Sequence, residues 1–217
     1  IEVGSVGGSL GIIGNGADFP GTTGNRLRHP FVSQYVLDGD FTFTGWINLD
    51  NNISSGVIQY IGNGGTSFNN NVLGIDYRVA TDEIQVALSD GISNHILAED
   101  VGGTGIPTVN TFYCVRWTAS TQTMELRLNG QAFVSSVFGV SPHNPGNQNF
   151  VLGETVSGAL TFEGIIDEIG GWNRKLKNSE VNFIYNNGSG NRPFNETVIK
   201  NTSGVEITNT SGTPIRT

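Results

Sequence analysis

The chain has 217 residues, with 11 basic and 19 acidic side chains, a formal net charge of −8, 31 glycines and one cysteine. The acidic balance disfavours nucleic-acid backbones and anionic lipid surfaces, and the lone Cys114 excludes an intrachain disulfide and a thiolate zinc cluster. Apolar content is ordinary for a globular chain, so the glycine excess belongs in turns; many turns mean many short strands, which excludes coiled coils, helical bundles and collagen. No window approaches the ~18 apolar residues of a membrane span, so no membrane insertion is expected. Residue 1 is Ile rather than Met, and a processed form or an excerpt of a longer chain is expected.

In chain order, a Gly-rich lead from Val3 to Ala17 precedes the strongest periodic segment, Asp40 to Leu49. There Phe41, Phe43, Gly45, Ile47 and Leu49 share one face, and Thr42, Thr44, Trp46 and Asn48 the other, which predicts a strand with one face in a core. Gly56 to Ile61 is short and apolar, and Gly62-Asn-Gly-Gly65 turns the chain. Val72 to Val79 and Glu83 to Leu88 read as a strand pair, with His95 to Ala98 a further short strand. Thr111 to Thr118 and Thr123 to Leu128 follow, and Asn129-Gly130 is expected to supply two positive-φ residues before a strand in Gln131 to Phe138. Asn149 to Gly153 and Leu160 to Trp172 are the later strands. Asn178 to Gly188 begins with a capping residue and ends on Gly, with Val181, Ile184 and Tyr185 on one face, predicting a helix of about two turns. Asn201-Thr-Ser-Gly204 and Asn209-Thr-Ser-Gly212 then punctuate short apolar alternations. The expected architecture is all-β: a two-sheet antiparallel β-sandwich or jelly roll with one short helix near the C-terminus and a terminal β-extension. The domain reading is residues 1–193 for the sandwich and 194–217 for an extension or linker.

Four ordered motifs resemble a known family. Asn15-Gly-Ala-Asp-Phe-Pro-Gly21 resembles an entry motif "G-x-A-x-F-D-G", and Phe41-Thr-Phe-Thr-Gly-Trp46-Ile-Asn resembles "F-T-I-S-A-W-V-x". Asn110-Thr-Phe-Tyr-Cys-Val-Arg-Trp117, followed by Met124-Glu-Leu-Arg-Leu-Asn-Gly130, resembles "W-H-H-V-A…L-Y-V-N-G". Phe162-Glu-Gly-Ile-Ile-Asp-Glu-Ile-Gly-Gly-Trp-Asn-Arg174 and the helix to Gly188 resemble "F-x-G-x-I-D-E-V-R-I-Y-N-R-x-L-S-x-x-E-I-x-x-L-Y-N-x-G". The pattern is that of the laminin G-like branch of the concanavalin A-like lectin/glucanase jelly rolls, to which pentraxins also belong. It spans roughly residues 10 to 190. The resemblance implies the fold, which hosts lectins, hydrolases and scaffolds alike.

Related glucanases carry a catalytic strand of the type E-x-D-x-x-E, which places alternate carboxylates on one strand face. Here Asp82-Glu83, Glu99-Asp100 and Asp167-Glu168 are adjacent pairs whose side chains would point to opposite faces. A non-enzyme is therefore expected, with no catalytic residues, and Cys114 reads as a core thiol. Asp167 has two readings. It hydrogen-bonds backbone amides where a strand meets loops, or, as the resemblance implies, it binds a structural Ca²⁺ with carbonyls of the N-terminal lead and Asp18. Calcium takes six to eight oxygens, several from backbone, so side chains under-report such a site.

For a glycan, Tyr60 and Tyr77 would serve as stacking platforms if exposed, and Asn69 and Asn71 as amide partners for hydroxyls. Trp46 and Trp172 match family positions expected to be packed. The leading expectation is a non-catalytic carbohydrate-binding or adhesion domain on a cell, secreted or virion surface. The alternative is a structural virion (decoration or tail) or surface-protein module with no glycan ligand, attached to a larger parent through its tails.

Overall fold

The computed structural model describes residues 2–30, 32–33, 36–50, 55–62, 71–101, 110–146, 148–155 and 160–191. Among them, in chain order, are strands β1 (Glu2–Val3), β2 (Gly7–Leu10), β3 (Asn15–Pro20), β4 (Arg26–His29), β5 (Phe41–Leu49), β6 (Gly56–Gly62) and β7 (Asn71–Arg78). Strands β8 (Glu83–Ser89), β9 (Asn94–Asp100), β10 (Thr111–Thr118), β11 (Thr123–Leu128), β12 (Val134–Val137), β13 (Asn149–Leu152) and β14 (Glu163–Trp172) follow, then helix α1 (Asn178–Tyr185). They build two seven-stranded sheets, β1-β4-β13-β6-β7-β8-β9 and β12-β11-β10-β5-β14-β3-β2. The ladders are antiparallel, as short turns require.

Strand alternation decides what lies between the sheets. Phe41, Phe43, Ile47 and Leu49 of β5 meet Tyr113, Val115 and Trp117 of β10 on the inner side, against Ile75, Tyr77, Ile84 and Val86 of the first sheet. Each such side chain contributes about 1.5–3 kcal/mol by leaving water. Phe41 stacks on Trp117 at 6.2 Å between centroids.

The second sheet is buried on its outer side as well, which the alternation of β5 did not predict. Trp46, Phe112 and Cys114 form a second cluster with Leu176, Val181 and Ile184 from the α1 segment, and Ile12 of the N-terminal lead packs against it. Trp46 stacks on Tyr185 at 5.8 Å. Alternation reports a strand's two faces but not what a remote helix later covers. Burial pushes the Cys114 thiol up to about 12, so it stays protonated and unreactive.

The Gly-rich lead, to which the sequence assigns no element, forms β1 to β3, with β3 held between β2 and β14. Two local expectations change. Asn129 alone takes positive φ in the β11–β12 turn. Gly130 suits its position for another reason, because a side chain there would crowd the Tyr185 ring. Helix α1 is capped by Lys177, whose N–H donates to Glu180 Oε2 at 2.7 Å, while Asn178 sits inside the first turn. The 194–217 extension lies outside the described residues.

Candidate functional site

The two tyrosines expected as sugar platforms are both buried, at 1% exposure each. Tyr77 points into the inter-sheet core, and its hydroxyl donates to Asp82 Oδ1 at 2.7 Å. Tyr60 lies with Val57 and Val151 on the outer side of the first sheet. Large amphipathic rings on central strands gain more from burial than from exposure, so neither offers a face to a ligand. Asn71 opens β7 with its side chain outside the described residues, as is the whole of Asn69.

Asp167 is buried at 8% exposure beneath the N-terminal lead. Its Oδ2 accepts from Ile13 N–H at 3.1 Å and its Oδ1 from Glu168 N–H at 2.8 Å. A side chain at Gly11 would overlap this carboxylate, so glycine there is what lets the lead close over it. Asp18 stands opposite Gly7 and Ile165, on a different rung of the ladder. Among the described residues no three acidic, histidine or cysteine side chains converge on a metal position. N–H donors point hydrogen, not lone pairs, at this corner, so the donor set fits a hydrogen-bonded carboxylate rather than a calcium shell.

On the outer side of the first sheet, β7 alternation places Asp76 and Arg78 together, with Gln85 opposite Asp76 on β8. Asp76 is fully buried, pairs with Arg78 Nε, and accepts from Gln85 Nε2 at 3.2 Å. Burial outweighs the pull of Arg78 and raises the Asp76 carboxyl to about 7. This is a titratable group in a sheltered row.

An open groove lies on the other side of the molecule, where β14 hands over to α1. Trp172 ends β14 opposite Thr42 of β5. Thr42 Oγ1 donates to Arg174 O at 2.9 Å and accepts from Leu176 N–H at 3.0 Å. One hydroxyl thus turns the chain back across the sheet and fixes where α1 begins. The resulting groove has a volume of about 380 Å³, a floor of Leu176 and Ile184, and walls of Trp172 and Phe183. The Trp172 indole lies against Gly170, where any side chain would displace it. Trp172 is half-buried and Phe183 is 52% exposed. Along the polar rim Arg174 and Glu180 form a forked pair, with N···O distances of 2.9 and 2.6 Å. Arg174, then the Lys177 N–H, hold the Glu180 carboxyl down at about 2, so the pair stays charged through the physiological range.

Sequence reasoning placed Trp172 in the core and passed over Phe183, Arg174 and Glu180. One signal was readable: Phe183 falls off the Val181–Ile184–Tyr185 face of α1, which leaves a large ring facing solvent.

A family model described as the concanavalin A-like lectin/glucanases superfamily matches residues 21–182. Among solved structures, the heptameric SAP-like pentraxin from Limulus polyphemus is similar with 15% identity and a TM-score of 0.58, covering 92% of this chain and 90% of that one. The receptor binding domain of botulinum neurotoxin C/D mosaic serotype is similar with 16% identity and a TM-score of 0.66, covering 95% of this chain and 49% of that one. This chain therefore spans about half the length of the toxin domain. The CBM40 of Ruminococcus gnavus IT-sialidase, bound to α2,3 sialyllactose, is similar with 14% identity and a TM-score of 0.56, covering 74% of this chain and 93% of that one. No curated protein matches in sequence. At these identities the likeness is one of fold.

Proposed function

Because the chain belongs to the concanavalin A-like lectin/glucanases superfamily, we propose that it is a non-catalytic glycan-binding or adhesion module at an exterior surface, with the groove between β14 and α1 as its binding site. The observation that carries this reading is the pairing of two partly exposed rings, Trp172 and Phe183, with the fixed Arg174–Glu180 fork on one rim. A pyranose has an apolar face of C–H groups and an equator of hydroxyls. The rings suit the first and the fork suits the second, since a guanidinium donates and a carboxylate accepts. Thr42 and Gly170 hold these groups in place before any ligand arrives, which lowers the ordering cost of binding. The sialyllactose complex of the CBM40 supports glycan binding as a use to which such a sandwich is put.

Screening the chain on a glycan array, then titrating hits against Phe183→Ala, tests the proposal. Phe183 is a surface ring, so its truncation should leave melting within about 0.5 kcal/mol of the parent while binding falls about tenfold, as for loss of one stacked ring. An array with no hit at millimolar sugar, or hits indifferent to Phe183→Ala, would remove the groove from consideration.

A further inference from the structure

The groove runs directly into a basic shoulder. Leu176 and Ser179 line both the groove and an adjoining shallow surface formed by Lys175, Lys177, Asn178 and Arg116. Five of the eight described Lys and Arg residues gather in this corner: Arg116, Arg127, Arg174, Lys175 and Lys177. Their carboxylate partners among the described residues are two, Glu125 and Glu180. Arg116 donates to Glu125 Oε1 at 2.9 Å and Lys175 pairs with Glu125 Oε2, so one carboxylate serves two cations. Arg174 pairs with Glu180. Arg127 is directed to neutral acceptors, Asn129 O at 2.9 Å and Asn182 Oδ1 at 2.6 Å. Counting the five cations against the two carboxylates leaves an excess of three positive charges, in a chain whose net charge is −8.

Such an excess is costly to keep together unless something offsets it. Here packing fixes most of it: Arg116 and Arg127 reach under α1, and Arg116 lies over the Phe133 ring at 3.5 Å. Two members are exposed, Arg174 and Lys177; Arg174 is engaged by Glu180, which leaves Lys177, at the helix start and beside the groove mouth, as the exposed cation with no carboxylate of its own. This corner holds most of the described cations, which favours an anion there, and it adjoins the aromatic walls of the groove.

We propose that the groove selects saccharides bearing an anionic group, the sugar face lying against Trp172 and Phe183 and the carboxylate or sulfate over Lys177. This rests on the glycan-binding reading of the same groove and adds the charge of the ligand to it. The Arg174–Glu180 fork is already neutral and stays so, which leaves the shoulder, not the fork, as the source of discrimination.

The test is calorimetric titration of the folded chain with lactose, sialyllactose and a sulfated lactose, in low and in physiological salt, repeated with Lys177→Gln. The expected result is tighter binding of both anionic sugars than of lactose. That preference should shrink about two- to fivefold on loss of Lys177, the range for one exposed charge pair, and should weaken in salt. A response confined to the sialylated or the sulfated form tells which anion is recognised, and either supports the proposal. Equal affinity for all three sugars overturns it while leaving glycan binding in the groove intact. An anionic preference that survives Lys177→Gln unchanged also overturns it, because the anion then sits elsewhere. No binding of any of the three removes the glycan reading and the charge selectivity together.

Discussion

The two sheets turn very different outer faces away from their common core. On the second sheet, one buried cation, Arg116, is shared among several acceptors under α1. Arg116 donates to Leu176 O at 2.9 Å, Asn178 Oδ1 at 2.7 Å and Glu125 Oε1 at 2.9 Å, and thereby ties the helix to two strands. On the first sheet, Asp76 is equally buried and has Arg78 and Gln85 for company, yet its carboxyl is raised to about 7. The difference teaches that pairing alone does not secure a buried charge. Arg116 spreads a delocalised cation over several acceptors, whereas Asp76 concentrates an anion that burial penalises more than its neighbours repay.

Removing Arg116 breaks this contrast most severely. Arg116→Ala leaves Glu125 short of a partner and unties α1, and should lower stability by about 3–5 kcal/mol in denaturant melts. A loss under ~1 kcal/mol would show that the helix holds to the sheet through Trp46, Val181 and Ile184 alone.

Asp76 sharpens the contrast through pH. Its folded carboxyl, at about 7, lies above the ordinary value of 3.8. The group's stabilising contribution is therefore complete below about pH 4 and is lost as pH climbs through 7. Asp76→Asn should remove this dependence, leaving the variant the more stable relative to the parent at pH 8 than at pH 4 by on the order of 2–4 kcal/mol. Identical pH profiles for parent and variant would mean that Arg78 fully compensates the charge.

The smallest expected effect concerns the lead over Asp167. Gly11→Ala should push the Ile13 amide from the carboxylate and cost about 1–3 kcal/mol, the range for leaving a buried acceptor short of a donor. Asp167→Asn should cost a similar amount with or without Ca²⁺. A melting temperature that rises with Ca²⁺ in the parent and not in Asp167→Asn would instead establish a metal at this carboxylate.

Most strands were legible because their residues obey period two and end in turn residues. Strands β5, β10 and β11 coincide with their expected bounds to within a residue. Strands β2 and β3 were not legible. Gly7-Gly-Ser-Leu10 has almost no intrinsic strand preference, and β3 contains Gly16, Asp18 and Pro20. They are strands because β14 offers β3 a ladder and β3 in turn offers one to β2, and that is tertiary information. The groove was hidden for the same reason. Trp172 and Phe183 are eleven residues apart on different elements, and their meeting depends on a turn fixed by Thr42, far back in the chain. Tyr60 and Tyr77 misled in the opposite sense, since composition reveals that a ring exists but not which way its strand is turned.

The first and last strands of the sandwich are stitched together: β4 pairs with β13, β3 pairs with β14, and Asp167 takes the amide of Ile13. During synthesis, then, β3 and β4 leave the ribosome with only β2 and β1 to meet, each on one edge. From His29 to Asn149 a further 120 residues must be made, on the order of 10 s at ordinary elongation rates. Through that interval β3 and β4 present unpaired edges, and the glycines, Asp18, Pro20, Arg26 and Arg28 that make them poor strands in isolation also make them poor templates for a neighbouring nascent chain. Weak local preference in the early strands thus guards a sandwich that can close only once its late strands have been made.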